Sequence, residues 1–210
     1  MGLAAIVLLT LDGWLLVKRT RYLEETRRLR AGMTDFERRR TDVLLASDQN
    51  RFRVMVELLR RQAQVDKDLH LAVSVDSSTM LLEREAAVLR QMRIQLGPEK
   101  SVGTPPDTVR MTVPRGTRTI ERVLDEHDSW EVPKWVYTDR GLTPPAERTF
   151  KGALGPSAII LNGGTVIYSM PTVGPLNDSA YVLPGSLRAR ASDLKAIAPN
   201  LRPGMTVYFY

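Results

Sequence analysis

The chain has 210 residues, enough for one domain of ordinary size and an appendage. It contains no cysteine, which excludes a disulfide framework, a thiolate zinc site and a cysteine nucleophile. Its formal net charge of +6 is concentrated in one arm: residues 18–64 carry 13 Lys and Arg against 7 Asp and Glu, whereas residues 65–210 carry 17 against 16.

The N-terminal run "GLAAIVLLTLDGWLLV", residues 2–17, is apolar apart from Thr10, Asp12 and Gly13, and then meets "KRTR". As a helix it reaches roughly 24 Å, a marginal span for a hydrocarbon core of about 30 Å. It lacks the basic leader and the small-residue cleavage site of a signal peptide. An uncleaved membrane anchor over residues 1–19 is expected, with Trp14 and the Lys18–Arg19 pair as interface residues; an amphipathic or buried helix is the plainer alternative. Lys18, Arg19, Arg21, Arg27, Arg28 and Arg30 would by the positive-inside rule hold the rest of the chain in the cytoplasm.

Residues 20–66 read as a helical spacer, with no proline and one glycine, Gly32, up to residue 64. Leu29, Met33, Phe36 and Val43 follow one helical stripe and Phe52, Met55 and Leu59 another. The two do not share a heptad phase, so a coiled coil and a homo-oligomer through this arm stay open beside a plain spacer. Nucleic acid is not an expected partner, because Phe36 and Phe52 are the only aromatic residues between Tyr22 and Trp130. A solvated face or anionic lipid is the commoner meaning of such arginines.

From Leu69 the period changes to two: "LHLAVSV" is a strand, "DSST" a turn, "MLLERE" a second strand and "AVLRQMRIQL" a third, ending at Gly97-Pro98. "SVGTPPDTVRMTVPRGT" reads as a connection, "TIERVLDEH" as a short helix or turn, and "WEVPKWVYTDRGLTPPAER" as an aromatic-rich loop. "SAIILNGGTVIYS" is a hairpin turning at Asn162-Gly163-Gly164, and "TVYFY" is a last strand. Between them Ser192 is expected to cap a helix whose first turn holds Asp193. The fold class is α+β, a membrane helix and helical arm followed by a β-rich domain with short helices over residues 67–210.

The meander "LHLAVSVDSSTMLLEREAAVLRQMRIQLG", the "GTPP" loop, "GALGPSAIILNGGTVIYS" and "LPGSLRARASDLKAIAPNLRPGMTVYFY" together resemble, in that order, the catalytic domain of the YkuD-type L,D-transpeptidases. That family's members are β-rich cell-envelope enzymes that cross-link or anchor peptidoglycan through a cysteine acyl-enzyme. The resemblance implies an active centre made of an upstream His-Gly pair and, after a loop, Ser-His-Gly-Cys-apolar-Arg. In "LPGSLR", Leu183 stands for the serine, Pro184 for the histidine, Gly185 for the glycine, Ser186 for the cysteine, and Leu187 and Arg188 for the apolar residue and the arginine. Tyr168-Ser169 stands where His-Gly would be. The scaffold residues match and the chemical residues do not.

A serine hydroxyl needs a base within hydrogen-bond reach. The chain's two histidines are His70, most simply a strand-face residue, and His127, in the acidic "DEHDSW"; Tyr168 is a poor base, with an ordinary pKa of about 10. Tyr168, Pro184 and Ser186 are therefore expected to be vestigial, while Gly185, Ser186, Arg188 and Tyr168 could still bind a ligand, Arg188 by holding a peptide carboxylate.

The expectation is a catalytically inactive, membrane-anchored, L,D-transpeptidase-like envelope protein, with peptidoglycan stem peptides or an envelope protein as partner and its C-terminal domain periplasmic or extracytoplasmic. The alternatives are an acyl-transfer or hydrolytic enzyme using Ser186, with His127 and Asp125 or Asp128 completing a triad, and a cytoplasm-facing structural component. No metal, nucleotide or redox cofactor is expected.

Overall fold

The computed structural model describes residues 35–103 and 108–210. The anchor expected over residues 1–19, the first part of the spacer and most of the "GTPP" loop lie outside the described residues. No helix among those described is long and apolar enough to cross a membrane. The chain divides into two compact units, Met1–Val54 and Met55–Tyr210, and the division falls within one long helix, α1 (Asp35–Val65). In the first unit the described part of α1 leaves Val43, Leu44, Phe52 and Val54 exposed.

The second unit is a closed eight-stranded barrel. The meander is present as read: β1 (His70–Ser74), β2 (Thr79–Arg84) and β3 (Ala87–Leu96) pair antiparallel in sequence order. Alternation and short turns suffice to form it, since each strand's neighbour is its neighbour in the chain. The Pro-rich connection that follows is not wholly irregular; it contains a two-stranded ribbon, β4 (Lys100–Val102) and β5 (Val109–Met111).

"TIERVLDEH" is not a helix, and only its last two residues, Glu126 and His127, lie in a turn. The rest belongs to β6 (Gly116–Asp125), a ten-residue strand paired with β12 (Thr206–Phe209) on one side and β9 (Ser157–Leu161) on the other. Thr117, Thr119, Ile120 and Val123 are β-branched, and two long-range ladders outweigh the local charge pattern of Glu121 and Arg122, where the strand's register shifts. The aromatic segment after it is likewise built. β7 (Ser129–Glu131) pairs with β8 (Thr149–Lys151), and α2 (Lys134–Asp139) starts behind Pro133.

β9 and β10 (Val166–Ser169) form the expected hairpin, and β11 (Leu187–Ala189) runs parallel to β10. The barrel closes in the order β1-β12-β6-β9-β10-β11-β3-β2. α3 (Ala191–Ile197) is capped by the extended backbone of Arg190, two residues before the expected cap. Ser192 lies inside the helix and makes no capping bond, while Asp193 is in the first turn as expected.

Several barrel strands are buried on both faces, and this positions the site. Leu71 and Val73, Ile159 and Leu161, Ile167, Leu187, Val207 and Phe209 point inward and fill the barrel. Their neighbours point outward into two satellite clusters. Ala72 and Tyr208 pack with Ala63 at the end of α1, and Ala158, Val166 and Tyr168 pack under α2, Leu176 and Leu183. Alternation along these strands thus sends one side chain to the barrel core and the next to a covering element.

Candidate functional site

The turn that joins the covering segment to β11 holds "LPGS", residues 183–186, the segment expected from the sequence resemblance to stand for the catalytic motif. Pro184 and Gly185 form a tight turn in which Gly185 has φ +65°, and a β-carbon there would lie 3.1 Å from the carbonyl of Thr112. On the other side Gly97, just past β3, donates its N–H to the Ser186 carbonyl at 2.8 Å. A β-carbon at Gly97 would sit 1.9 Å from the Leu183 carbonyl oxygen, so only glycine admits this approach. Packed between Gly97 and the Met111–Thr112 backbone, Leu183, Pro184, Gly185 and Ser186 are all buried.

Ser186 is 4 % exposed. Its N–H donates to the Leu183 carbonyl at 3.1 Å, and its Oγ accepts the N–H of Val166 at 3.2 Å. That N–H would otherwise be a buried donor without a partner, so the hydroxyl does the work of a backbone acceptor. No imidazole, amine or carboxylate among the described residues hydrogen-bonds to it.

Strand register builds the rest of the site. Ala158 of β9, Tyr168 of β10, Arg188 of β11 and Gln95 of β3 are successive cross-strand partners, and the Tyr168 and Arg188 side chains both lie on the outward face of the barrel. Tyr168 is fully buried, and its hydroxyl accepts the Leu183 N–H at 3.0 Å. Burial pushes its phenol pKa up; that backbone bond and the charge of Arg188 offset this only in part. Next to it, Ser169 Oγ donates to the Ser157 carbonyl at 2.9 Å. The residues in place of His-Gly therefore hold the turn and the hairpin.

Arg188 is 6 % exposed and is not open to a ligand carboxylate. Its Nε donates to Gln95 Oε1 at 2.8 Å. Its Nη1 donates to the carbonyls of Asp178 at 2.7 Å and Tyr181 at 3.0 Å, and its Nη2 to that of Ser179. The expected carboxylate holder is thus committed to the strap of residues 170–182. The same strap is clamped from outside by Arg140, which pairs with Asp178 at 2.7 Å, donates to the Pro175 carbonyl and lies over the Tyr181 ring. Tyr181 donates to Asp139 at 2.9 Å, and Asp139 also pairs with Lys100 of β4. Burial, with the hydrogen bond and negative charge of Asp139, pushes the Tyr181 phenol well up.

The histidines lie elsewhere. His70 is fully buried on β1, its Nδ1 2.8 Å from the Asp68 carbonyl, its Nε2 3.4 Å from Glu83 and its ring edge-on to Tyr208. His127 is exposed in the turn between β6 and β7. There Asp125 accepts the His127 N–H and Asp128 accepts the Asp125 N–H, so the acids expected to complete a triad close their own turn. Among the described residues no group of three His, Asp or Glu side chains could hold a metal ion.

Sequence reasoning placed Tyr168, Gly185, Ser186 and Arg188 together, and the barrel does bring them together. It missed Gly97, Gln95, Asp178, Tyr181, Asp139 and Arg140. Only Gly97, read as the end of a strand, carried a local signal.

No family model matches the chain, and no curated protein matches it. Among solved structures it is similar to an L,D-transpeptidase of Xylanimonas cellulosilytica, at 16 % identity and a TM-score of 0.47, over 69 % of this chain and 61 % of that one. It is also similar to a mutant L,D-transpeptidase of Enterococcus faecium, at 14 % identity and 0.44, over 70 % and 51 %. L,D-transpeptidase 1 of Mycobacterium tuberculosis gives 16 % and 0.43, over 67 % and 60 %. The alignment thus spans less than two thirds of each of these structures.

Proposed function

We propose that residues 67–210 are a catalytically silent, L,D-transpeptidase-like module of the cell envelope, acting as a scaffold for an envelope protein. The observation that carries the reading is the state of Ser186: its Oγ is taken by the Val166 N–H, inside a turn buried along its length and without a base in reach. The ordered resemblance of the sequence segments supports the family. Replacement of its nucleophile and both its histidines by Ser186, Pro184 and Tyr168 supports the silence.

Binding of peptidoglycan stem peptides at Gly185, Ser186 and Arg188 is disfavoured by the same burial, so a protein partner is the better reading. Tethering through residues 2–17 and an extracytoplasmic domain complete the proposal. Two tests bear on it. Mass spectrometry of tetrapeptide muropeptides incubated with the whole chain should find no released D-alanine and no 3-3 cross-link; turnover that disappears in Ser186→Ala would make it an acyl-transfer enzyme instead. A C-terminal alkaline phosphatase fusion should be active, and an inactive one with a fluorescent cytoplasmic counterpart would place the domain inside the cell.

A further inference from the structure

The last turns of α1, Met55 to Val65, belong to the same compact unit as the barrel and carry two adjacent stripes. Val56, Leu59, Ala63 and Asp66 recur at i, i+3, i+7 and i+10. Ala63 is buried against Ala72 and Tyr208, and Asp66 accepts the Tyr208 hydroxyl at 2.9 Å, so this stripe docks the helix on the barrel. The second stripe is shifted by one residue: Met55, Leu58, Gln62 and Val65. It has the same spacing and is exposed, with Met55 57 %, Leu58 61 % and Val65 77 % accessible. An open groove runs beside it, lined by Leu58, Arg61, Gln62, Val65, Asp66 and Tyr208.

That spacing is the seam of a two-stranded coiled coil, with Met55 and Gln62 at the first apolar position of the heptad and Leu58 and Val65 at the fourth. The flanking charges choose the partner. In this phase Arg61 precedes the seam and Asp66 follows it five residues on, the offset that places opposite charges across a parallel, in-register pair of identical helices. Among the described residues Arg61 bonds through its Nε alone, to Glu57 at 2.9 Å. Asp66 has one oxygen on the Asp68 N–H and the other on Tyr208, which leaves lone pairs on its carboxylate for a guanidinium. Gln62 would face its own copy, and two amides can hydrogen-bond each other across such a seam, which favours pairing in register. On the same phase upstream stand Asp48 and Arg51, each of which would meet its like in a parallel pair, so the seam is confined to Met55–Val65.

We propose that this stripe is a parallel self-association surface whose occupant is the same segment of a second copy of the chain, with Arg61 of each copy paired to Asp66 of the other. The inference does not depend on whether Ser186 turns over. Because the seam is about three turns long, the association is weak, and it makes the module a two-headed scaffold at high local concentration.

The absence of cysteine gives a direct test on the whole chain. Met55→Cys and Val65→Cys, made separately, should each cross-link to themselves under mild oxidation, at least about tenfold faster than Gln64→Cys, which is exposed on the opposite side of the same helix. Leu58→Asp, an exposed change that leaves the far-ultraviolet circular dichroism unaltered, should abolish both cross-links. Equal rates at Val65→Cys and Gln64→Cys would overturn the proposal. So would Met55→Cys linking only to Val65→Cys in a mixture, which is the signature of an antiparallel pair, or cross-links that survive Leu58→Asp.

Discussion

At the residue scale, the Ser186 and Tyr168 hydroxyls each satisfy a buried backbone N–H. Removing such an acceptor strands the donor, at a cost of about 1–3 kcal/mol. Ser186→Ala and Tyr168→Phe should therefore each lower the unfolding free energy measured in urea by an amount in that range, with a lower midpoint, whereas neither should change the response to muropeptides. A midpoint unmoved in both would mean that these hydroxyls are not structural. Gly97→Ala is the harsher change, because its β-carbon would overlap the Leu183 carbonyl. A loss of at least about 3 kcal/mol is expected, as for overpacking against backbone that cannot yield.

Among the elements, the strap over residues 170–182 is held from outside by Arg140 and from beneath by the guanidinium of Arg188, which reaches three of its carbonyls. Arg188→Ala should cost about 3 kcal/mol, since hydrogen bonds to a charged group are lost and part-buried carbonyls are left unpaired. Hydrogen exchange should speed up in the strap while the amides of β9 and β10 remain protected. Uniform exchange across both regions would show that the strap and barrel open together.

The same scale shows why part of the fold was legible. β1, β2 and β3 pair with chain neighbours, so Leu71, Val73 and the short turns declare them. β6 takes both its partners from distant segments, and Glu121 and Arg122 at its register shift imitate a helical surface, so nothing local distinguishes it. Arg188 was visible as a motif residue, but its partner Gln95 is 93 residues away and no pattern links them. Ser192 had the chemistry of a cap, yet the chain enters α3 through Arg190, whose extended backbone begins the helix earlier.

For the whole molecule, burial on both faces of the strands places phenols in dry surroundings. Burial comes first among the causes raising Tyr168, Tyr181, Tyr208 and Tyr210, and Tyr208, also bonded to Asp66, is pushed up to about 12. Below pH 10 both the folded and the unfolded chain keep these protons. Above it the unfolded chain loses them first and binds fewer, so stability falls as pH rises from about 10 through 12. Near-ultraviolet absorbance should report tyrosine ionisation in step with loss of circular dichroism. Ionisation of all six tyrosines near pH 10 in a folded protein would contradict this.

The Ser186 hydroxyl is closed off in a buried turn, and no imidazole, amine or carboxylate among the described residues hydrogen-bonds to it. The most direct measurement is the intact mass of the whole chain after exposure to a fluorophosphonate, which phosphonylates serines that a neighbouring base activates. No mass increase is expected, either in this chain or in Ser186→Ala treated in the same way. A single adduct mapped to Ser186 would mean that the turn opens and a base reaches it, and the scaffold reading would give way to an enzyme.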